Sequence, residues 1–181
     1  IIVQLPLPSH MDVETIISAI PPALDVDCMH ERAGTRGVLP PVVGAIDEIA
    51  RRHGVMFAGA NVVIVGEGRL VGRPVRHWIE RHGWRASVVN ELTPHPETLF
   101  KNADILILGV GQPSLVTASV VKPGVVIFDA GTSELGGELV GDAAPDCQTV
   151  ASLITPVPGG IGPITVAVLL RNLVLLSKTN R

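Results

Sequence analysis

The sequence predicts an α/β fold in which helices cover both faces of a doubly wound, mostly parallel sheet. From residue 62 onward, short runs of Val, Ile and Leu alternate with segments of helical periodicity, as repeated strand–helix units require. Apolar residues make up 46% of the 181 residues and aromatic residues only 3%, so the core is aliphatic, which suits a buried parallel sheet. A glycine-spaced turn joins the first of these strands to its helix.

The individual elements of this sheet can be predicted from apolar runs, caps and breakers. Strands are predicted at 62–65, 86–89, 105–108 and 125–128. Helices are predicted at about 42–53 before Gly54, at 71–82 before Gly83, after a Thr93 cap, and at about 163–176. A hairpin tip is predicted at Gly136–Gly137. The last helix carries one apolar stripe, which consists of Val166, Leu169, Leu170 and Leu173.

The first 40 residues read differently. Residues 1–5 are predicted to form a strand that Pro6 ends, and Ser9 or Asp12 can cap a short helix behind it. Residues 25–30 follow as a loop. The chain begins inside a strand-like run without Met, so we expect it to be a segment of something longer or a processed product.

Bulk composition argues against several classes of function. The net charge is −3 without a basic run, which disfavours nucleic-acid binding. No apolar run approaches the roughly 20 residues of a membrane helix, so we expect no membrane span. Cys28 and Cys147 form neither a metal spacing nor a disulfide framework, which fits a reduced cytosolic compartment. The six histidines show no ligand spacing, and no metal site is predicted.

The turn after the first buried strand predicts a dinucleotide-phosphate site. Residues 66–72 read Gly-Glu-Gly-Arg-Leu-Val-Gly, and Pro74 lies in the first turn of the helix that follows. A strand, a tight glycine turn and a helix N-terminus bind phosphate through backbone N–H groups. The spacing is one residue longer than the usual fingerprint. The alternative is a plain strand–helix turn whose glycines serve close packing.

Two acidic residues lie where a nucleotide would bind. Glu91 follows Gly66 by 25 residues, at the end of the second strand, where a carboxylate accepts hydrogen bonds from the adenosine ribose and repels a 2′-phosphate. Glu67, inside the turn, opposes the charge of a phosphate, and Arg69 could offset it. The alternatives are a solvated loop glutamate at Glu91 and a solvent-facing side chain at Glu67.

Polar residues near the start of the chain form a second group of candidates. Asp25 and Asp27 bracket one valine, and a carboxylate buried beside a heterocycle can hold its ring N–H groups. Gln4 lies near a predicted strand end, where sites occur. Loop or capping aspartates and a structural glutamine are the alternatives.

Three stretches closely resemble the methylenetetrahydrofolate dehydrogenase/methenyltetrahydrofolate cyclohydrolase family. Residues 3–8 read Val-Gln-Leu-Pro-Leu-Pro, residues 25–27 Asp-Val-Asp, and residues 155–165 Thr-Pro-Val-Pro-Gly-Gly-Ile-Gly-Pro-Ile-Thr. Further matches follow in order at 71–74, 103–105, 121–124 and 139–142. The resemblance covers essentially the whole chain and identifies its nucleotide domain as Rossmann-like.

The resemblance implies a cytoplasmic, homodimeric enzyme of one-carbon metabolism. Such enzymes oxidise 5,10-methylene-tetrahydrofolate with NAD or NADP and hydrolyse the methenyl product. Residues 1–40 would be a remnant of the N-terminal catalytic α/β domain, 41–157 the dinucleotide-binding domain, and 158–181 the folate-cleft loop with a helix that returns to the catalytic domain. The implied roles are catalytic for Gln4 and Asp27, substrate-binding for Leu5, Pro158, Gly159 and Gly160, and cofactor-binding for Gly66, Glu67, Gly68, Glu91 and Thr132.

Departures from the family pattern are equally informative. The family's Tyr-x-x-x-Lys helix lies before the Gln-Leu-Pro-Leu-Pro stretch, and this sequence contains no Tyr. Without that lysine as general acid/base, the cyclohydrolase step should be lost. The family's Pro-Cys-Thr-Pro has become Pro-Pro-Val-Val at 40–43. Its Arg-Ser and His-Ser pairs have become Glu67-Gly68 and Asn90-Glu91, which favours NAD over NADP.

Two other interpretations compete with an active dehydrogenase. A catalytically impaired module that binds a dinucleotide or folate, or that serves assembly, explains the missing lysine and the altered turn. An unrelated NAD-dependent dehydrogenase leaves the Pro-Gly-Gly loop unexplained.

Overall fold

The computed structural model describes residues 1–30 and 37–179. Its helices are α1 (Val13–Ser18), α2 (Pro41–His53), α3 (Gly72–Arg81), α4 (Glu97–Asn102) and α5 (Ile161–Thr179). Its strands are β1 (Val62–Val65), β2 (Ala86–Val89), β3 (Ile105–Leu108), β4 (Val126–Asp129), β5 (Ser133–Leu135), β6 (Glu138–Val140) and β7 (Leu153–Ile154). Short 3-10 turns occur at Ala118–Val120 and Pro145–Thr149.

A parallel sheet forms the centre of the described part of the chain. Its strand order is β2-β1-β3-β4-β7, and every neighbouring pair is parallel. The chain runs outward from β1 to β2 and then returns to place β3 on the other side of β1. The strand order therefore reverses between β1 and β3, and ligands of such sheets bind beyond the carboxyl ends of the strands at this point.

Helices cover both faces of this sheet, so β1 and β3 are buried along their whole length. Side chains from α2, α3 and the start of α5 pack on one face, around Trp78 and Phe128. Phe100 of α4 packs on the other face with the aliphatic side chains of β1, β3 and β4. The predicted fold class, a Rossmann-like doubly wound sheet, is confirmed.

Most predicted boundaries agree with the structure, but the predicted start of α4 does not. β1, β2 and β3 have the predicted limits, Gly54 ends α2 in the left-handed conformation, and the β5–β6 hairpin turns at Gly136–Gly137. α4 begins at Glu97 because Pro96 precedes it and His95 has a φ of 48°. Thr93 instead accepts a hydrogen bond from the N–H of Asn90 at 3.0 Å.

The strand predicted at residues 1–5 was wrong. An isolated strand leaves its backbone groups unpaired, and this segment meets only part of a loop. The amino group of Ile1 donates to the carbonyl of Leu24 at 2.7 Å, and the N–H of Val26 donates to the carbonyl of Ile1 at 3.5 Å. The helix behind it forms as predicted, because Asp12 accepts a hydrogen bond from the N–H of Thr15.

α5 packs one side against α2 and leaves the other exposed. A Cβ added to Gly44 would lie 2.7 Å from Cγ1 of Val168, so the two helices approach closely at this glycine. The apolar stripe predicted from the sequence is largely exposed in the structure, since Val166 and Leu170 are 57% and 54% exposed. The buried stripe consists of Ile161, Val168, Asn172 and Leu176.

By length and composition α5 could also cross a membrane, contrary to the expectation from the sequence. Residues Ile161–Lys178 have a mean hydropathy of 1.5, and 22% of this window is buried. Core helices of globular proteins share this length and composition. Such core helices are mostly buried, whereas α5 contacts α2 through one side and leaves most of this window exposed.

Candidate functional site

The turn between β1 and α3 is shaped by glycines that pack against backbone. Gly66 has a φ of 98°, which a residue with a side chain rarely adopts, and its N–H donates to the carbonyl of Val89 at 2.8 Å. A Cβ on Gly72 would lie 2.0 Å from the carbonyl oxygen of Gly66. Gly109, after β3, would place its Cβ 2.5 Å from Val71. These three glycines let the turn, the helix and the neighbouring loop meet at the strand-order reversal.

Gly68 is different, because no packing among the residues that the structure describes requires a glycine there. Its φ is not in the left-handed region, and the nearest atom to an added Cβ, the carbonyl oxygen of Gly109, is 3.8 Å away. The N-terminus of α3 also has no side-chain cap at Val71. A bare backbone beside an uncapped helix N-terminus is suited to the close approach of a phosphate.

The carboxylate of Glu67 is held at the end of β2. Its Oε2 accepts a hydrogen bond from Nδ2 of Asn90 at 2.7 Å, and its Oε1 lies 3.8 Å from Arg76. Arg69, expected to offset this charge, instead pairs with Glu14 of α1. Hydrogen bonding to Arg69 lowers the pKa of Glu14. Glu67 is therefore held next to Asn90, the residue that directly follows β2.

Glu91 is exposed, as are its neighbours Asn90 and Leu92. Asn90 shapes this loop: its Oδ1 accepts from the N–H of Leu92 at 3.0 Å while its amide group holds Glu67. Sequence reasoning assigned the ribose-facing role to Glu91 and treated Asn90 only as an altered family position. The position of Asn90, directly after β2 and one residue before Glu91, was the sequence feature that could have indicated its role in this loop.

Two buried carboxylates hold the loops that follow β3 and β4. Asp142 accepts hydrogen bonds from the N–H groups that follow β3, at distances of 2.7, 3.2 and 2.7 Å from Val110, Gly111 and Gln112. Asp129, at the end of β4, accepts from the N–H groups of Gly131 at 2.9 Å, Asp142 at 3.2 Å and Ala143 at 2.8 Å. Burial raises the pKa of Asp129, although these N–H groups act in the opposite direction.

Thr132 lies next to this network. Its carbonyl oxygen is 3.5 Å from the position of a Cβ on Gly111, and the hydroxyl of Ser133 donates to the carbonyl of Gly111 at 2.7 Å. The loops after β3 and β4 are thus brought together across the strand-order reversal from Glu67, and the region between the two sides is called the crevice below. Sequence reasoning missed the role of Asp142, whose partners lie about 30 residues away.

The proline-glycine stretch before α5 is joined to the same network. Thr155 accepts a hydrogen bond from the N–H of Asp129 at 2.7 Å. Gly159 has a φ of 99°, and a Cβ on Gly160 would lie 2.5 Å from the carbonyl oxygen of Pro156. Both glycines are therefore required by the backbone. Pro158 and Gly159 are exposed, and Gly160 is buried.

The opening segment contributes the remaining predicted residues. Asp27 is half-buried, and its pKa is raised by burial and by the nearby Asp25. Asp25 is 4% exposed and accepts from the N–H of His30 at 3.0 Å. Gln4 is exposed and donates to the carbonyl of Leu5 at 2.9 Å, while Leu5 is partly buried.

α5 fixes the loop that carries Asp27. Nδ2 of the fully buried Asn172 donates to the carbonyl of Val26 at 3.1 Å and to that of Leu39 at 2.7 Å. A groove of about 930 Å³ runs from the residues after Asp27 to the glycine turn, and its lining includes Cys28, His30, Glu67 and Arg73. Among residues 1–30 and 37–179, no group of three or more His, Cys, Asp or Glu side chains is arranged to hold a metal ion.

Comparison with known proteins adds independent information. Residues 40–181 match the family model described as tetrahydrofolate dehydrogenase/cyclohydrolase, NAD(P)-binding domain. The chain is 38% identical over 179 residues to the bifunctional protein FolD 2 of Desulfitobacterium hafniense, covering 95% of this chain and 63% of that protein. It is 37% identical over 190 residues to the bifunctional protein FolD of Campylobacter concisus, covering 98% and 66%.

Solved structures show the same similarity. The bifunctional FolD methylenetetrahydrofolate dehydrogenase/cyclohydrolase of Campylobacter jejuni superposes with a TM-score of 0.93 at 32% identity, covering 98% of this chain and 66% of that one. The Trypanosoma brucei enzyme, complexed with NADP cofactor and inhibitor, gives a TM-score of 0.90 at 34% identity, covering 99% and 66%. The chain thus spans 63–66% of the length of these four relatives.

Proposed function

Because this chain belongs to the tetrahydrofolate dehydrogenase/cyclohydrolase family, we propose that it serves the oxidation of 5,10-methylene-tetrahydrofolate to the 5,10-methenyl form with a nicotinamide dinucleotide. The observation that carries the proposal is that the loops after β1, β3 and β4 meet at the strand-order reversal, where sheets of this kind bind ligands in a crevice. One side of it holds the glycine turn and Glu67, and the other side holds the loops after β3 and β4. A bound dinucleotide would accept the hydride, while the protein positions the two ring systems.

The residues of the glycine turn fit the phosphate half of such a cofactor. Gly68 leaves open the space that a Cβ would take, and the N-terminus of α3, which has no side-chain cap, favours negative charge beside it. Gly66 adopts a conformation that only glycine tolerates well. Thr132 and the loop 109–113 would lie along the nicotinamide half, on the opposite side of the crevice.

NAD is the preferred cofactor in this proposal. Glu67 is aimed at the end of β2 by Asn90, where its carboxylate would accept hydrogen bonds from the ribose hydroxyls. A 2′-phosphate at the same place would meet this negative charge. Glu91, two residues past the strand, would add to the repulsion. Two cations lie beside Glu67. Arg76 is bonded to Glu80 at 2.9 Å and is thereby partly neutralised, and Arg73 donates to the backbone carbonyl of Glu67 at 3.1 Å.

The folate half of the site is assigned to the opening segment and the loop before α5. Asp27, whose pKa is raised by burial, would accept hydrogen bonds from the pterin ring N–H groups. Leu5, Pro158, Gly159 and Gly160 would line the cleft, and Gln4 would orient the lysine of the family. In domain terms, 1–40 is a remnant of the catalytic domain, 41–157 binds the dinucleotide, and 158–181 returns to the folate cleft.

Cyclohydrolase activity is proposed only in combination with a Tyr-x-x-x-Lys helix, because that lysine is the general acid/base of the step. The 181 residues contain no Tyr. A second candidate is therefore a catalytically impaired module that binds a dinucleotide or folate, or that serves assembly. The altered cofactor turn at Glu67-Gly68 favours it. A homodimer in the cytoplasm, with neither nucleic acid, membrane nor metal as partner, completes the proposal.

Titration of NAD and NADP against the chain, followed calorimetrically, tests the cofactor assignment. We expect NAD to bind more tightly than NADP. Glu67→Arg should strengthen NADP binding by about 10- to 100-fold, because an Arg–phosphate hydrogen bond contributes about 1.5–3 kcal/mol. Glu91→Gln is the control on the same loop and should change the preference less. Equal or tighter binding of NADP by the unaltered chain would contradict the proposal.

An assay of NADH formation from 5,10-methylene-tetrahydrofolate separates the two candidate functions. A chain that binds NAD and reduces it is a dehydrogenase, and Asp27→Asn should then lower the rate. A chain that binds NAD and shows no turnover, even with a Tyr-x-x-x-Lys segment of a relative fused before Ile1, is the impaired module.

A further inference from the structure

Asp142 is a buried charge whose hydrogen-bond partners belong to a loop of the proposed cofactor crevice. It is 0% exposed, and its two carboxylate oxygens accept from consecutive backbone N–H groups. Oδ2 accepts from Val110 at 2.7 Å and from Gly111 at 3.2 Å, and Oδ1 accepts from Gln112 at 2.7 Å. Charge-assisted bonds of this kind offset the cost of burial and fix the peptide planes that donate them.

The same carboxylate also shapes the loop after β4. A Cβ on Gly131 would lie 2.2 Å from Cγ of Asp142, so the backbone there rests directly against the carboxylate. The N–H of Asp142 donates to Oδ1 of Asp129 at 3.2 Å, which ties the group to the end of β4. A Cβ on Gly141 would in turn lie 2.2 Å from Oδ2 of Asp129. Each carboxylate thus occupies the space that a glycine leaves.

We propose that Asp142 is a positioning residue for the nicotinamide half of the cofactor. It fixes the backbone at 110–112 and, through its contact with Gly131, the backbone that leads to Thr132. Both segments lie at the carboxyl ends of β3 and β4, across the strand-order reversal from the glycine turn. The adenosine half is built from other residues. This inference rests on the proposed function.

Comparing NAD with ADP as ligands tests this role, because ADP carries the adenosine and pyrophosphate parts alone. In Asp142→Asn, one acceptor oxygen becomes an amide that faces a backbone donor. We expect the dissociation constant of NAD to rise about tenfold or more and that of ADP to stay within about twofold. Hydrogen exchange of the amides at 110–112 should accelerate, and that of β1 should not.

Ser133→Ala provides a second test outside the buried pair. Its hydroxyl holds the carbonyl of Gly111, and Ser133 is only partly buried, so the variant should fold even if Asp142→Asn does not. We expect a rise of about threefold in the NAD dissociation constant and no change for ADP. Equal weakening of NAD and ADP, or unchanged NAD binding in both variants, would overturn the inference. An unaltered chain that binds neither ligand would overturn the proposed function itself.

Discussion

On the β2 side of the crevice, exposed side chains form the surface, whereas on the β4 side buried carboxylates hold backbone. Glu67 and Asn90 follow β1 and β2 and share a hydrogen bond, and Arg76 of α3 lies 3.8 Å from Glu67; all three residues are exposed. Asp129 and Asp142 are 3% and 0% exposed and bind loop N–H groups. The polar side chains of the first side lie on the surface, whereas the carboxylates of the second side hold buried backbone in place.

The difference has a consequence for how each side can change. Surface substitutions away from buried networks usually alter stability by less than about 0.5 kcal/mol, whereas breaking a buried network is much more costly. Selectivity for the adenosine end can therefore vary by single substitutions such as Glu67→Arg. At the proposed nicotinamide end, a single substitution within the buried network is expected to cost stability as well as affinity.

The largest effect is expected for Gly131→Ala on the β4 side. The added methyl would meet the carboxylate of Asp142 at 2.2 Å, inside a region without free space. The free energy of unfolding should fall by about 2–4 kcal/mol in urea titrations. Gly162→Ala is the matched control, because nothing lies within 4 Å of its Cβ and it has helical backbone. Equal stability of the two variants would refute the contrast between the sides.

On the other side, Gly68→Ala should separate binding from folding. No backbone strain and no close neighbour require glycine at this position, so we expect a change in unfolding free energy below about 0.5 kcal/mol. The methyl group would stand where the pyrophosphate approaches the turn, and NAD affinity should fall about tenfold. Calorimetric titration with NAD measures this change in affinity. Unchanged affinity would mean that the phosphates lie elsewhere.

How far the sequence predicted the structure depends on where the partners of each residue lie. β1, β2 and β3 were predicted to the residue. β1 and β3 are uninterrupted apolar runs that neighbouring strands and helices bury, whereas β2 contains Ser87 and is a partly buried edge strand. The structure divides the roles of the glycines in the turn: Gly72 packs against backbone, as the plain strand–helix turn interpretation requires, and Gly68 leaves space. The phosphate-binding interpretation of the turn stays a prediction.

The failures have several physical causes, and contact between distant parts of the chain is the first of them. Asp142 resembles an ordinary loop aspartate until β3 places Val110 beside it. The run at 1–5 has strand composition but no neighbouring strand among the described residues. β7 has only two residues, which is too short for any pattern. Thr93 was predicted to cap a helix, but its hydroxyl instead accepts a hydrogen bond from the N–H of Asn90.

Asn90→Asp, on the β2 side of the crevice, is expected to have a smaller effect on NAD affinity. Aspartate keeps the acceptor that binds the N–H of Leu92 but loses the amide donor and places a second negative charge against Glu67. Glu67 should then turn from the ribose, and the dissociation constant of NAD should rise about three- to tenfold. Leu92→Ala is the neighbouring control, since Leu92 is 89% exposed. If both variants bind NAD like the unaltered chain, Asn90 does not orient Glu67.

The smallest effect concerns Asp27 and depends on pH. Its pKa is raised from 3.8 by burial and by Asp25, so the folded chain binds this proton more tightly than the unfolded chain. The contribution to stability is therefore full below about pH 3.8 and is lost as the pH rises through the folded pKa. Asp27→Asn should be more stable than the unaltered chain at pH 7, by less than about 1 kcal/mol because the site is partly hydrated.

This advantage of Asp27→Asn should shrink toward pH 4, as urea midpoints measured at several pH values would show. Asp47→Asn on the exposed face of α2 is the control for loss of one surface charge. The substitution at Asp27 should also lower the rate of 5,10-methylene-tetrahydrofolate oxidation. A carboxylate that weakens the fold at neutral pH while supporting turnover is what a ligand-binding group exhibits. A stability difference that grows on acidification would contradict the raised pKa and remove this physical support for a pterin contact.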